Sequence, residues 1–280
     1  MQDIQKDKNL LKKTKVWQLL KKTLNPRKKN SELEINNPLK PKNIIMEYSR
    51  ESLIYQMNRI SFELSNLCNY APFHKKCPLH NVKEKIILPS KIVYKTINEL
   101  AEIKYKGYIN FHKYNEPLID PRLFSFIQYA KTKCPESQVR LLTNGYYLNQ
   151  TMVDELVELE VSMLDVSAYS KPEYERLKSL KVPVKYHVFY SELDDRGNQY
   201  EREPLDLQKS CFALVNDISV SCTGKVVLCC LDWQRMHTFG NLNNESLQDI
   251  LNKENLKKEH YKLINGQRTL HLCRRCDWSR

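Results

Sequence analysis

No stretch of the 280-residue chain reaches the roughly 18 consecutive apolar residues that a membrane-spanning helix needs, so none is expected. The opening residues MQDIQKDKNL lack the apolar run and cleavage site of a secretory signal, and a cytoplasmic location is the expectation. An even cysteine count is missing too. Nine cysteines, an odd number without such a signal, argue against a disulfide framework. No internal repeat is found. Nor is there a uniformly basic surface. The net charge is +12, but residues 1–50 hold 13 Lys and Arg against 5 Asp and Glu, leaving +4 for the other 230. With no obvious RNA-binding domain either, this weakens the case for a nucleic-acid partner.

What is present begins with a basic arm over residues 1–45. Leu10, Thr14, Trp17, Leu20 and Leu24 share one helical face, and Lys12, Lys13, Lys15, Lys21 and Lys22 surround it. Asn25 and Pro26 end the helix, and Pro38 and Pro41 mark an extended linker. Such a helix packs on the main domain or a partner, or lies on an anionic membrane surface through residues 10–24.

From Ile60 the pattern alternates. Ile60–Leu64, Tyr108–His112, Gln138–Leu142, Met163–Ser167 and Val184–Phe189 read as strands. Pro89–Lys104, Pro121–Lys133, Thr151–Leu159 and Lys171–Leu180 read as helices between them. Alternation of this kind implies an α/β parallel sheet, here a partial (β/α)6 TIM-like barrel over residues 46–205. In such barrels chemistry sits at the C-terminal strand ends, where Cys68 would follow the first strand. After Pro204 the pattern changes. Asp217–Ser221 and Lys225–Leu228 read as a hairpin, Gly240–Asn241 as a turn and Leu247–Asn252 as a short helix. Residues 206–280 thus read as a small cysteine-rich α+β domain.

The cysteines fall into an early and a late group. Cys211, Cys229, Cys273 and Cys276 supply four soft thiolates, suited to zinc or an iron–sulfur cluster. Cys230 is the alternative to Cys229, because adjacent strand residues face opposite ways. The early loop, SFELSNLCNYAPFHKKCPLH, holds Cys68 and Cys77 with His74 and His80.

In order and spacing these residues resemble a radical SAM enzyme with a C-terminal twitch or SPASM-type domain. Glu63 to Asn69 is similar to the start of that family's cluster loop. Asn115-Glu116-Pro117-Leu118 resembles its Gly-Gly-Glu-Pro-Leu motif, and Thr143-Asn144-Gly145 and Val166-Ser167 match later strand ends. Cys211, Gly224, Cys229, Gly240-Asn241-Leu242 and the final Cys273–Cys276 pair resemble its auxiliary-cluster pattern. The resemblance implies a [4Fe-4S] cluster that binds SAM, a second, auxiliary [4Fe-4S] cluster, and a flavodoxin- or ferredoxin-like electron donor. Reductive cleavage of SAM would give a 5′-deoxyadenosyl radical that takes a hydrogen atom from the substrate. A sugar or glycan precursor is the first expectation and a peptide the second. An RNA-modifying enzyme and a non-catalytic Fe–S or zinc scaffold are the other readings.

Two departures stand out. The family loop has three cysteines, and here the second is replaced, so His74 or His80 would join Cys68 and Cys77 as third ligand. His74 is favoured because its loop insertion is smaller. Asn115 stands where a glycine is usual, so its amide would contact SAM, with Glu116 accepting from the SAM ammonium. Asn144 and Ser167 complete the expected SAM contacts, and His112, Tyr114 and Tyr169 are candidates to bind substrate or donate a hydrogen atom.

Overall fold

The computed structural model describes residues 53–74, 77–190, 201–205 and 208–277. The expected amphipathic arm and linker lie outside the described residues. The described residues fall in one compact unit. Its first part runs α1 (Leu53–Gln56), β1 (Arg59–Phe62), α2 (Ser90–Glu102), β2 (Tyr108–Asn110), α3 (Leu123–Lys133), β3 (Gln138–Thr143), α4 (Gln150–Glu158), β4 (Val161–Ala168), α5 (Lys171–Lys178) and β5 (Lys185–Tyr190). Then follow α6 (Ala213–Asn216), β6 (Ile218–Val220), β7 (Lys225–Val227), β8 (Thr238–Asn241), α7 (Leu247–Asn252), α8 (Glu254–Ile264) and α9 (His271–Arg274).

Local signals start several helices. The Asn149 side chain accepts from the Met152 N–H at α4, Ser170 from the Glu173 N–H at α5, and Ser246 from the Asp249 N–H at α7. Each caps a donor that has no partner within the helix.

The strands form one eight-stranded sheet in the order β5-β4-β3-β2-β1-β6-β7-β8. β1 to β5 pair in parallel, β6 pairs in parallel with β1, and β7 and β8 add antiparallel. The α/β partial barrel is therefore present, with an unexpected source for its sixth parallel strand. That strand is β6, from the region the sequence assigns to a separate module. β1 lies inside the sheet, so its second edge needs a partner, and the chain returns after residue 205 to supply it. Gly240 and Asn241, expected as a turn, belong to β8 because they pair with Val226 and Lys225 of β7. Helix α8 carries no turn or proline signal at its start and was not anticipated.

The two sheet faces differ in chemistry. Ile60, Phe62, Ile109, Phe111, Val139, Leu141, Leu164, Val166, Ile218 and Val220 are fully buried on one face. The helices cover this face: a Cβ on Gly145 would strike Val166 and Leu177 of α5, and the Tyr186 hydroxyl donates to the Leu177 carbonyl. The residues between them, Ser61, Asn110, Arg140, Asp165, His187 and Ser219, face the other way. A parallel sheet dry on both faces reads as nearly continuous hydrophobic runs. Here alternation places these polar side chains on the inner face, alongside Leu142, Met163 and Phe189.

Candidate active site

The early cysteine loop leaves the C-terminal end of β1. Asn66 pins its two limbs: the amide donates to the Glu84 carbonyl at 2.7 Å and accepts from the Ile86 N–H at 2.9 Å. Between them the backbone winds through successive tight turns. The N–H of Ala71 donates to the Cys68 carbonyl, that of His74 to Tyr70, that of Cys77 to His74, and that of His80 to Cys77. This winding brings Cys68 and Cys77 within electrostatic reach of each other. Burial pushes the Cys68 thiol up to about 11, the Glu116 and Cys77 charges add to the rise, and the N–H groups of Tyr70 and Ala71 oppose it. A bound cation would offset that rise and favour the thiolate.

The two histidines occupy different surroundings. His74 is 8% exposed and its ring lies 5.6 Å from that of Tyr169, which in turn packs at 4.9 Å on Tyr70. His80 is half-buried, and its Nδ1 is 3.0 Å from the Ala71 carbonyl. That bond fixes the Nδ1–H form and leaves Nε2 as the ring's lone-pair nitrogen, the arrangement usual for a ligating imidazole. Cys134 is buried at the end of α3 against the Ile97 carbonyl.

Glu116 joins β2 to β3 beneath the loop. It is 3% exposed, with Oε1 accepting from the Leu118 N–H (3.0 Å) and the Thr143 hydroxyl (2.5 Å), and Oε2 from the Asn144 N–H (2.7 Å). Burial pushes its pKa up, and those three donors pull it back. The Asn144 amide donates to Asn69 at 2.7 Å and lies 3.8 Å from the Cys68 sulfur, so Thr143-Asn144 directly supports the cysteine loop. Gly145 follows at φ +73°, a conformation that leaves no room for a side chain beside Val166.

Other expected residues are placed differently. The Asn115 amide is engaged within its own loop, accepting from the Lys113 N–H and donating to the Phe111 carbonyl, which gives this non-glycine turn its shape. Tyr114 does not open toward the barrel mouth: it is buried, and its hydroxyl donates to the Cys230 carbonyl at 2.6 Å. His112 Nδ1 accepts from the Leu142 N–H at 3.3 Å on the neighbouring strand. Ser167 sits half-buried on β4 beside Phe189 of β5.

Below the loop the polar face holds residues that the sequence did not reveal. Asp165 on β4 is 4% exposed and receives Arg140 Nε from β3 at 2.5 Å and His187 Nδ1 from β5 at 2.6 Å. One layer down, Asn110 donates to Ser61, which donates to Asp217 at 2.7 Å. Asn110 Oδ1 and Ser219 Oγ are fully buried without a hydrogen-bond partner. Only the strand register brings these positions together.

The late cysteines lie within electrostatic reach of one another. Burial pushes the Cys229 thiol well up, with Cys230, Cys273 and Cys211 adding. Burial also raises Cys273, with Cys211 and Cys276 next. Arg268, missed in the sequence, ties the set together by donating Nε to the Lys209 carbonyl (2.9 Å) and Nη1 to the Cys276 carbonyl (2.5 Å). The Cys211 N–H donates to Leu263 on α8 at 2.8 Å. Among the described residues, no three His, Cys, Asp or Glu side chains are close enough to hold a single metal ion. Four cysteines within electrostatic reach of one another are a donor set that suits an iron–sulfur cluster.

Comparison with known proteins agrees with this arrangement. Residues 211–277 match the SPASM family, described as an iron-sulfur cluster-binding domain. The S-adenosyl-L-methionine-dependent 2-deoxy-scyllo-inosamine dehydrogenase of Niallia circulans is 25% identical over 231 residues, 78% of this chain and 92% of that protein. The crystal structure of BtrN in complex with AdoMet and 2-DOIA superposes with a TM-score of 0.67 at 25% identity, covering 79% of this chain and 93% of BtrN. That of anSMEcpe with bound AdoMet gives 0.55 at 11% identity, covering 79% and 86%, and shares the fold. In strand order, in the loop at the end of β1 and in the matched cysteine-rich region, this chain is similar to radical SAM enzymes with a C-terminal SPASM-type domain.

Proposed function

We propose that the chain dehydrogenates a secondary alcohol on a sugar-like or aminocyclitol substrate. The observation that carries the substrate class is the polar inner face. Asp165 and His187 share a row with Leu142, two residues before Asn144 on β3, and Arg140 lies one layer deeper in the row of Ser61, Asn110 and Ser219. A hydroxyl-rich ligand supplies both donors and acceptors to such a lining. Of these side chains His187 and Arg140 are the more accessible, at 31% and 26% exposed, and Asp165 holds both.

Cys68, Cys77 and an imidazole are the proposed holders of the SAM-binding cluster. The smaller insertion favours His74, while the carbonyl bond of His80 orients that ring for ligation. Cys211, Cys229, Cys273 and Cys276 hold the auxiliary cluster, with Cys230 as the alternative to Cys229. When bound, the first cluster and SAM supply one-electron removal of a hydrogen atom from the substrate, and the auxiliary cluster accepts or delivers an electron. The chain's part is to bind, orient and keep water out. Glu116 keeps one acceptor position on Oε2 for the SAM ammonium, since a carboxylate offers about four such positions. Asn144 buttresses Cys68, and Ser167 stands at the strand end where the ribose would lie. Tyr169, on Tyr70 and His74, walls the loop. Tyr114 ties the loop after β2 to the Cys229–Cys230 segment through its bond to the Cys230 carbonyl. The basic arm, if it lies on an anionic surface, would suit a membrane-proximal substrate, and liposome flotation of intact and truncated chains decides that.

The test is anaerobic reconstitution with iron and sulfide, then reaction with SAM and dithionite. 5′-Deoxyadenosine is expected, and replacing one of His74 and His80 by alanine should abolish it while the other variant retains it. Zinc alone in metal analysis, with no 5′-deoxyadenosine, would refute the reading.

A further inference from the structure

We infer that His187 is the base that takes the hydroxyl proton of the alcohol being oxidised, with Asp165 and Arg140 as its positioning residues. This deepens the dehydrogenase reading above and rests on it. The geometry runs across three neighbouring strands. Leu142, Asp165 and His187 are register partners on β3, β4 and β5. Thr143, the next residue on β3, opens the turn whose Asn144 reaches the Cys68 sulfur. His187 therefore lies in the row next to the reacting end of the barrel.

Its side chain faces the polar interior. Tyr186, one residue earlier, bonds to α5 on the apolar face, so His187 points the other way. The Asp165 carboxylate accepts from Nδ1 at 2.6 Å, which fixes the Nδ1–H form and aims the Nε2 lone pair away from the carboxylate. The His187 side chain is 31% exposed, whereas Asp165 is 4% exposed. Asp165 cannot swing aside, because its other oxygen receives Arg140 Nε at 2.5 Å. A carboxylate that orients an imidazole also stabilises the imidazolium formed on proton uptake.

The step balances. The C–H bond breaks and its hydrogen atom, with one electron, goes to the adenosyl carbon supplied by SAM, ending as 5′-deoxyadenosine. The O–H bond breaks and its proton goes to His187 Nε2. The one remaining electron goes to the auxiliary iron–sulfur cluster as oxidant, and the C–O bond becomes C=O.

The test uses the full-length reconstituted protein and 2-deoxy-scyllo-inosamine or another polyol deuterated at its carbinol carbons. The substrate chosen is the one giving the greatest deuterium transfer into 5′-deoxyadenosine with the unaltered chain. No transfer from any such polyol overturns the dehydrogenase reading itself, and this inference with it. Given transfer, His187→Gln should keep it within about threefold, while ketone formed per 5′-deoxyadenosine falls by about 100-fold. Asp165→Asn should show the same uncoupling to a smaller extent, and added imidazole should restore ketone to His187→Ala. The inference is wrong if transfer and ketone fall together in His187→Gln, or if neither falls. Equilibrium binding of the polyol, read by calorimetry, should change less than about threefold in His187→Gln; a fall that accounts for the lost product would make the residue a binding group instead.

Discussion

A single glycine decides whether the β3 turn can support the cysteine loop. Gly145 has φ +73°, and an added Cβ would lie 2.4 Å from a Val166 methyl. Gly145→Ala should lose about 2–4 kcal/mol of stability in denaturant titration, from left-handed backbone strain plus overpacking. His260 on α8 is another such residue. Burial pushes its imidazole down from 6.5 to about 4. The unfolded chain therefore takes up a proton before the folded one does. The stability tied to the neutral ring is fully present above about pH 6.5 and is lost as pH falls toward 4, up to about 3 kcal/mol. His260→Leu should flatten that part of a pH–stability curve. At this scale the sequence was readable where residues are contiguous: the Cys68 loop, Glu116 and Asn144 meet as their order implies. It was silent on Asp165 and His187, 22 positions apart. Neither has a neighbour in sequence that signals chemistry, and only strand pairing joins them.

Helix α8 and the arginine after it hold the auxiliary cysteines in place. Leu263 receives the Cys211 N–H, and Arg268 bridges the carbonyls of Lys209 and Cys276. Arg268→Met removes charge-assisted bonds on both sides, each worth about 1.5–3 kcal/mol. It should lower iron bound at the auxiliary site, read by spin quantitation, while the Cys68 site keeps its iron. The reverse pattern would show that Arg268 serves another part of the fold. The alternating strands and helices were legible because hydrophobic period changes at each junction, as at Gln138 and Thr151. Helix α8 was not, since its apolar positions, Leu256, Leu263 and Ile264, are spaced among charges and no capping side chain opens it.

Across the whole molecule, the sheet ties the barrel and the cysteine-rich region together. β6 is bonded to β1 along Ile60–Phe62, and the Glu63 carboxylate accepts from the Cys222 N–H at 2.9 Å. A chain ending at residue 205 leaves β1 as an unpaired edge with Ile60 and Phe62 uncovered. It should lose cooperative thermal unfolding and aggregate; a soluble, cooperatively melting fragment would show that the barrel stands alone. The composition shift after residue 205 marks where the cysteine-rich region begins, but composition carries no information on which strand pairs with which. The same limit hid the sixth parallel strand.

The most direct test of the whole account is isotopic. Reconstituted enzyme, SAM, dithionite and a polyol deuterated at its carbinol carbons are combined without oxygen, and the 5′-deoxyadenosine is examined by mass spectrometry. The account predicts one deuterium carried into the 5′-deoxyadenosine and one equivalent of ketone. Unlabelled 5′-deoxyadenosine with every such polyol, at a rate unchanged by adding it, would contradict it.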